Sequence, residues 1–149
     1  MAQDDLVIDP WGSAQSTDYD RMIEQFGLTS MEGVSLANPS KLHRRGIVFA
    51  HRDVDQVLEA QRTGAPFGVL TGLMPSGQMH LGHSMVVEQV KWFQQQGGDV
   101  TIAVADLESQ ATRGVSLAKG RSIALQEYIA HYAALGLDPE KTSVYFQST

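Results

Sequence analysis

The stretch from Phe67 to His83 constrains this chain more than any other. Phe67 to Leu73 is a short apolar run of the kind that fills a parallel sheet. Pro75-Ser76-Gly77 punctuates it with turn formers. From His80 the pattern becomes helical, with Leu81, Met85, Val86, Val90 and Phe93 near one face. The expected order is strand, loop, helix. His80 and His83 are then neighbours on one side of a helix start, and Gly82 between them has no side chain to block a flat ligand. A helix N-terminus carries unpaired N–H groups and roughly half a positive charge, so phosphate is the expected visitor. Two plainer readings compete. The pair could be half of a metal site, although no Cys or close acidic partner completes one. It could also be ordinary polar residues on an exposed helix end. The joint arrival of strand, Pro-Ser-Gly loop, His-x-Gly-His and helix favours phosphate.

The rest of the chain reads as an α/β protein. Residues 1–17 are polar and turn-rich except for Trp11, a large aromatic expected to pack as a peg. Asp18 is the expected N-cap of a helix that Gly27 ends, with Arg21 on it. Short helices are expected near 30–36 and 41–45. Ile47 to Ala50 is a short apolar run, read as a strand or the approach to a helix. Asp53 is the expected N-cap of a helix running to about Thr63. Lys41, Arg44 and Arg45 form a basic cluster, read as a solvated face or a phosphate contact.

Downstream, the helix after the loop should end near Gln96. Val100 to Ala105 should be a second central strand, Leu117 to Leu135 a long amphipathic helix capped by Ser116, and Ser143 to Phe146 a third strand. The expected domains are an N-terminal extension, 1–64, and half of a doubly wound parallel sheet, 65–149. Ligands of such sheets sit beyond the carboxyl ends of the strands, which puts Asp106 and Glu108 near the site.

Composition narrows the class. With 149 residues, 19% charged residues and no Cys, the expectation is a folded domain without a disulfide framework or thiolate metal site. No apolar run approaches a membrane span, and Asp4 and Asp5 stand where a signal peptide would be basic, so a cytoplasmic location is expected. The net charge of −6 is the wrong sign for a surface that grips nucleic acid.

Pro75-Ser76-Gly77-Gln78-Met79-His80-Leu81-Gly82-His83 resembles the HIGH signature of class I aminoacyl-tRNA synthetases, in the form used by tryptophanyl and tyrosyl enzymes. Asp9-Pro10-Trp11, Asp18-Tyr19-Asp20 with Phe26-Gly27, and Arg44 through Asp53 look like N-terminal landmarks of the archaeal and eukaryotic tryptophanyl branch. Ala105-Asp106-Leu107-Glu108 and Gly136-Leu137-Asp138-Pro139-Glu140-Lys141-Thr142 sit where that branch has an acidic loop and a turn.

The resemblance implies a Rossmann-like fold and ATP-dependent activation of tryptophan, followed by transfer to tRNA(Trp). It implies ATP as substrate, with Mg2+, and a homodimer for a full-length member. It places His80 and His83 as catalytic donors to phosphate. Pro75, Ser76, Gly77 and Gly82 would cradle the nucleotide, with Trp11 over the pocket and Arg21 near the phosphates. Glu108 would hold the substrate ammonium, with Asp106, Leu70 and Gly72 alongside. Leu70 stands where a Tyr is common in the family, and Ala103 where Gln is common, which leaves the amino acid less fixed than the reaction. No Lys-Met-Ser-like stretch exists in 1–149, so the chain is expected to be the N-terminal portion of a synthetase, inactive alone. A tyrosyl-like enzyme, another His-x-Gly-His nucleotidyl transferase, and a non-catalytic relic are the alternatives.

Overall fold

Helix α1 (Tyr19–Phe26) opens the described part of the computed structural model, which covers residues 19–149; Trp11 and the capping role of Asp18 lie outside it. The chain divides into two compact units after Gln56. In the first, Gly27 takes φ 58° and closes α1. Strand β1 (Thr29–Ser30) pairs antiparallel with β2 (Ala50–His51). Arg52 Nη2 donates to the Phe26 carbonyl at 2.7 Å, tying the end of α1 to the end of β2. The helix expected near 30–36 is absent; Ser30 is taken into the β1–β2 ladder, and Met31 N–H donates to Phe49 O. Between the strands, α2 (Lys41–Arg44) is closed by a capping box in which Ser40 and His43 each serve the other's backbone. Arg44 donates to the Pro39 carbonyl.

The division between the units falls inside α3 (Val54–Thr63). Asp53 does not cap this helix in the expected way. It takes φ 57°, and the Val54 N–H donates instead to His51 Nδ1 at 3.3 Å. Asp tolerates the left-handed region better than most residues, which lets the ring do the capping.

The second unit carries the expected sheet. β3 (Gly68–Leu73), α4 (Leu81–Gln95) and β4 (Asp99–Val104) follow in order. The helix α5 (Asp106–Arg113) comes next, where an acidic loop was expected. A continuous helical run then comprises α6 (Leu117–Ile123), a π-helical turn (Ala124–Ile129) and α7 (Ala130–Ala134). Ser116 caps α6 through the Lys119 N–H. A 3₁₀ turn at Pro139–Lys141 leads into β5 (Thr142–Phe146). The strands are parallel in the order β3-β4-β5, half of a doubly wound sheet.

The register puts Val69, Thr71 and Leu73 on the same face as Val100, Ile102 and Val104. That face meets Val87 and Val90 of α4 and Tyr128 and Tyr132 of the long helical run. The opposite face carries Leu70, Gly72, Ala103 and Tyr145, with Leu70 72% and Tyr145 46% exposed. The expected buried strand β3 is therefore half-buried on one face and exposed on the other. The phase of α4 also differs from the expected stripe: Val87, Val90, Trp92 and Gln94 are buried, while Leu81 is 79% exposed beside the loop. Gly98 permits the entry to β4, because a Cβ there would lie 2.7 Å from the Phe67 ring.

Gln94 is the polar member of the buried stripe. Its Nε2 donates to the carbonyls of Asp138 and Lys141 and to Thr142 Oγ1, and its Oε1 accepts from the Asp138 N–H at 2.8 Å. One amide thus gathers Asp138, Lys141 and Thr142 of the turn before β5. Gln94→Leu would fill the space and orphan those groups, and is expected to destabilise the unit by about 1–3 kcal/mol. Urea unfolding should show the lower midpoint at unchanged slope.

Candidate nucleotide-binding site

The loop after β3 is held from behind. Pro75 is buried and its carbonyl accepts from Ser109 Oγ of α5 at 3.0 Å. The Met74 carbonyl accepts from Tyr128 Oη at 3.0 Å. Burial raises the Tyr128 pKa above the usual phenol range, and the N–H groups of Ser76 and Gly77 act on its oxygen in the opposite sense. Ser76 and Gly77 themselves are exposed. Sequence reading missed the roles of Ser109 and Tyr128. For Tyr128 a signal existed: an inward-facing Tyr needs a partner for its hydroxyl.

His80 is the N-cap of α4, with extended backbone (φ −137°, ψ 177°), and His83 lies in the first turn. Each imidazole serves the other's end of a capping box. His80 Nδ1 accepts from the Gly82 N–H at 3.2 Å, and His83 Nδ1 accepts from the His80 N–H at 3.3 Å. An imidazole that accepts at Nδ1 carries its proton at Nε2. The rings lie 4.0 Å apart between centroids, tilted by 48°. Two Nε2–H donors therefore sit side by side at a helix N-terminus, just past the carboxyl end of β3.

Burial, then the electrostatic influence of the neighbouring His80, holds the His83 pKa below the usual imidazole range. Tyr128 meets the His83 ring edge-on at 5.6 Å. The helix's own N–H groups are thus partly spent on the imidazoles, and the donors on offer are side-chain ones. Capping alone does not mark a ligand site, since Ser40 and His43 close α2 by a similar device. The exposed loop and the paired donors set α4 apart.

Gly82 is exposed, and a Cβ there would lie 3.1–3.2 Å from the His80 ring. Glycine at this position spares His80 that close approach.

Other expected site residues are distributed as follows. Glu108 is half-buried in the first turn of α5. Asp106 is only 2% exposed, and the chain itself takes up its carboxylate. Oδ1 accepts from the N–H groups of Leu107 and Ser148, and Oδ2 from the Ser148 hydroxyl. Asp106 therefore clamps the segment after β5 to the end of β4. Leu70 and Gly72 lie together on the exposed sheet face, where Gly72 stands abreast of Ala103 and Tyr145. Arg21 belongs to the first unit and Trp11 lies outside the described residues. No group of three His, Cys, Asp or Glu arranged for a metal ion occurs among the described residues. No helix among them is long and apolar enough to cross a membrane.

Comparison with known proteins shows the family of the chain. The pattern of tRNA synthetases class I (W and Y) matches residues 62–149. A tryptophan–tRNA ligase of Methanosarcina acetivorans is 44% identical over 146 residues, which cover 97% of this chain and 33% of that protein. The tryptophan–tRNA ligase of Aeropyrum pernix is 44% identical over 95% of this chain and 40% of its own length. The crystal structure of the Aeropyrum pernix tryptophanyl-tRNA synthetase superposes with a TM-score of 0.83 over 95% of this chain and 40% of that one. That of Trypanosoma brucei, 29% identical, gives 0.79 over 88% and 43%. The chain thus spans about a third to two-fifths of the length of these relatives. With more than half of its residues inside the matched pattern and the His-x-Gly-His helix start in place, the chain belongs to the class I tRNA synthetases of the tryptophan and tyrosine group.

Proposed function

We propose that this chain is the ATP-handling part of a tryptophan–tRNA ligase. The observation that carries the reading is the pair of Nε2–H donors at the start of α4. In the proposed reaction, a carboxylate oxygen of tryptophan attacks the α-phosphorus of ATP. A new P–O bond forms, the bond to pyrophosphate breaks, and pyrophosphate leaves with the electron pair. The carboxylate is already a nucleophile, so no general base is required. Catalysis then rests on alignment and on donors that meet the growing charge on phosphorus-bound oxygens.

His80 and His83 supply such donors. Ser76 and Gly77 bend the loop over the nucleotide, Pro75 anchors that loop, and Gly82 leaves the adenine face open. Arg21 and Trp11 are assigned to the nucleotide from the family resemblance alone. Glu108 receives the tryptophan ammonium, while Asp106 acts as a clamp behind it. The exposed floor of Gly72 and Ala103, flanked by Leu70 and Tyr145, suits a flat indole. Mg2+ belongs to the triphosphate as its counter-ion. Residues 1–64 are assigned as the extension and 65–149 as the first half of the catalytic domain. A cytoplasmic location, taken from the sequence, and a homodimer acting on tRNA(Trp), taken from the family resemblance, complete the reading.

The test is tryptophan-dependent ATP–pyrophosphate exchange by the chain carried within a protein of its relatives' length. Exchange with tryptophan supports the reading. Adenylate formed with no amino acid, or only with tyrosine, overturns it. The 149-residue chain by itself is expected not to charge tRNA, given its net charge of −6. An aminoacylation assay with tRNA(Trp) checks this, and robust charging would contradict it.

A further inference from the structure

The best-buried large side chain of the second unit has no role in the proposed chemistry as stated so far. Tyr128 is 1% exposed and lies within the π-helical turn Ala124–Ile129. Such turns cost regular hydrogen bonding and are frequent at functional sites. The turn delivers Tyr128 to two places at once. Its hydroxyl donates to the Met74 carbonyl at 3.0 Å, at the root of the Pro75–Gly77 loop. Its ring meets His83 edge-on, with centroids 5.6 Å apart. The next tyrosine along, Tyr132, is also buried, yet its hydroxyl has no partner. Burial in the core therefore does not by itself require the Met74 bond. The contact is specific to the position facing the loop.

We infer that Tyr128 is a positioning residue of the nucleotide site: through Met74 and His83 it locks the phosphate-binding loop and the second imidazole into one rigid arrangement. The inference rests on the ATP reading of that site. A donor that acts only in the transition state must be held before the charge develops, because small misplacement is costly. Tyr128 supplies that hold from the core side, without touching substrate.

The test uses Tyr128→Phe, which keeps the ring against His83 and deletes only the hydroxyl. In tryptophan-dependent exchange by the full-length protein, kcat should fall by roughly 10–10²-fold, with KM for ATP moving far less and the melting temperature nearly kept. On the 149-residue chain, amide hydrogen exchange at Ser76 and Gly77 should speed up in the same variant. Tyr128→Leu should lower kcat further, since His83 loses its ring contact too; if it fails to fold, the Phe variant decides alone. A Phe variant with parental kcat and parental amide protection overturns the inference. So does a variant whose only change is a lower melting temperature. A parent protein that shows no exchange at all overturns the underlying ATP reading instead, which separates the two failures.

Discussion

Replacing His80 or His83 by alanine is expected to slow tryptophan activation by roughly 10–10³-fold, while the dissociation constant for ATP moves much less. The two Nε2–H donors are most valuable when the α-phosphate carries its extra negative charge, so their binding energy belongs to the transition state. The geometry adds a second expected effect. Each imidazole also closes the capping box of α4. Alanine removes a cap worth about 0.5–2 kcal/mol, so both alanine variants should melt earlier than the parent.

His80→Asn separates the two effects. Asn is a good N-cap acceptor, so the helix end is preserved, but its short side chain withdraws the donor from the phosphate. The expected result is a near-parental melting temperature with the rate still depressed. Pyrophosphate exchange and thermal melts on the same preparations read both quantities. An alanine variant that melts early and exchanges normally would reduce the pair to helix caps. Activity lost to chelators and restored by zinc would instead mark a metal site.

Gly82→Leu is expected to abolish measurable ATP binding while leaving the fold intact. The site lies on the first turn of α4 and is exposed, where leucine is the better helix former by just under about 1 kcal/mol. That gain opposes the loss of the His80 cap, so the fold is expected to persist at near-parental or slightly lower stability. The loss of ATP binding comes from two sources. The branched side chain would cover the face that adenine needs. Its Cβ would also press on His80 at 3.1–3.2 Å and swing the ring off the Gly82 N–H. Calorimetric titration of parent and variant with ATP checks this. Equal binding isotherms would remove Gly82 from the nucleotide site.

The sheet of the second unit was legible because its strands are apolar runs bounded by glycine, proline and acidic residues. Residues Gly68–Leu73, Asp99–Val104 and Thr142–Phe146 follow those signals to within a residue or two. The long helix was legible from its periodicity, although the π-helical turn within it was not, since a single wider turn barely disturbs an apolar stripe. Helix α5 gave no such signal. It is polar along its length, and Ala105 provides no side-chain cap. Its Ser109 and Asp106 are buried by partners distant in sequence, Pro75 and Ser148. Contacts of that range leave no local pattern. The same holds for Gln94, whose position in a helical stripe gives no hint that it gathers Asp138, Lys141 and Thr142. The start of α3 shows the limit differently: Asp53 has the right chemistry for a cap, yet His51 provides it.

In the candidate site, His80, Gly82 and His83 were legible because their spacing and the loop before them form one local motif. The tautomers were not, since they follow from which backbone N–H each ring accepts. The hold on the loop by Ser109 and Tyr128 was not, for the reason just given.

The central claim is that the two imidazoles present Nε2–H donors to the phosphates of ATP. Nitrogen-15 NMR of the histidine rings, recorded on the 149-residue chain during an ATP titration at pH 7, tests it most directly. The account predicts that His80 and His83 hold their proton on Nε2 before ATP is added, and that both Nε2 resonances shift saturably as it binds, with His43 and His51 unmoved. A folded chain that binds ATP with no change at either ring, or one in which both rings carry the proton on Nδ1, would contradict it.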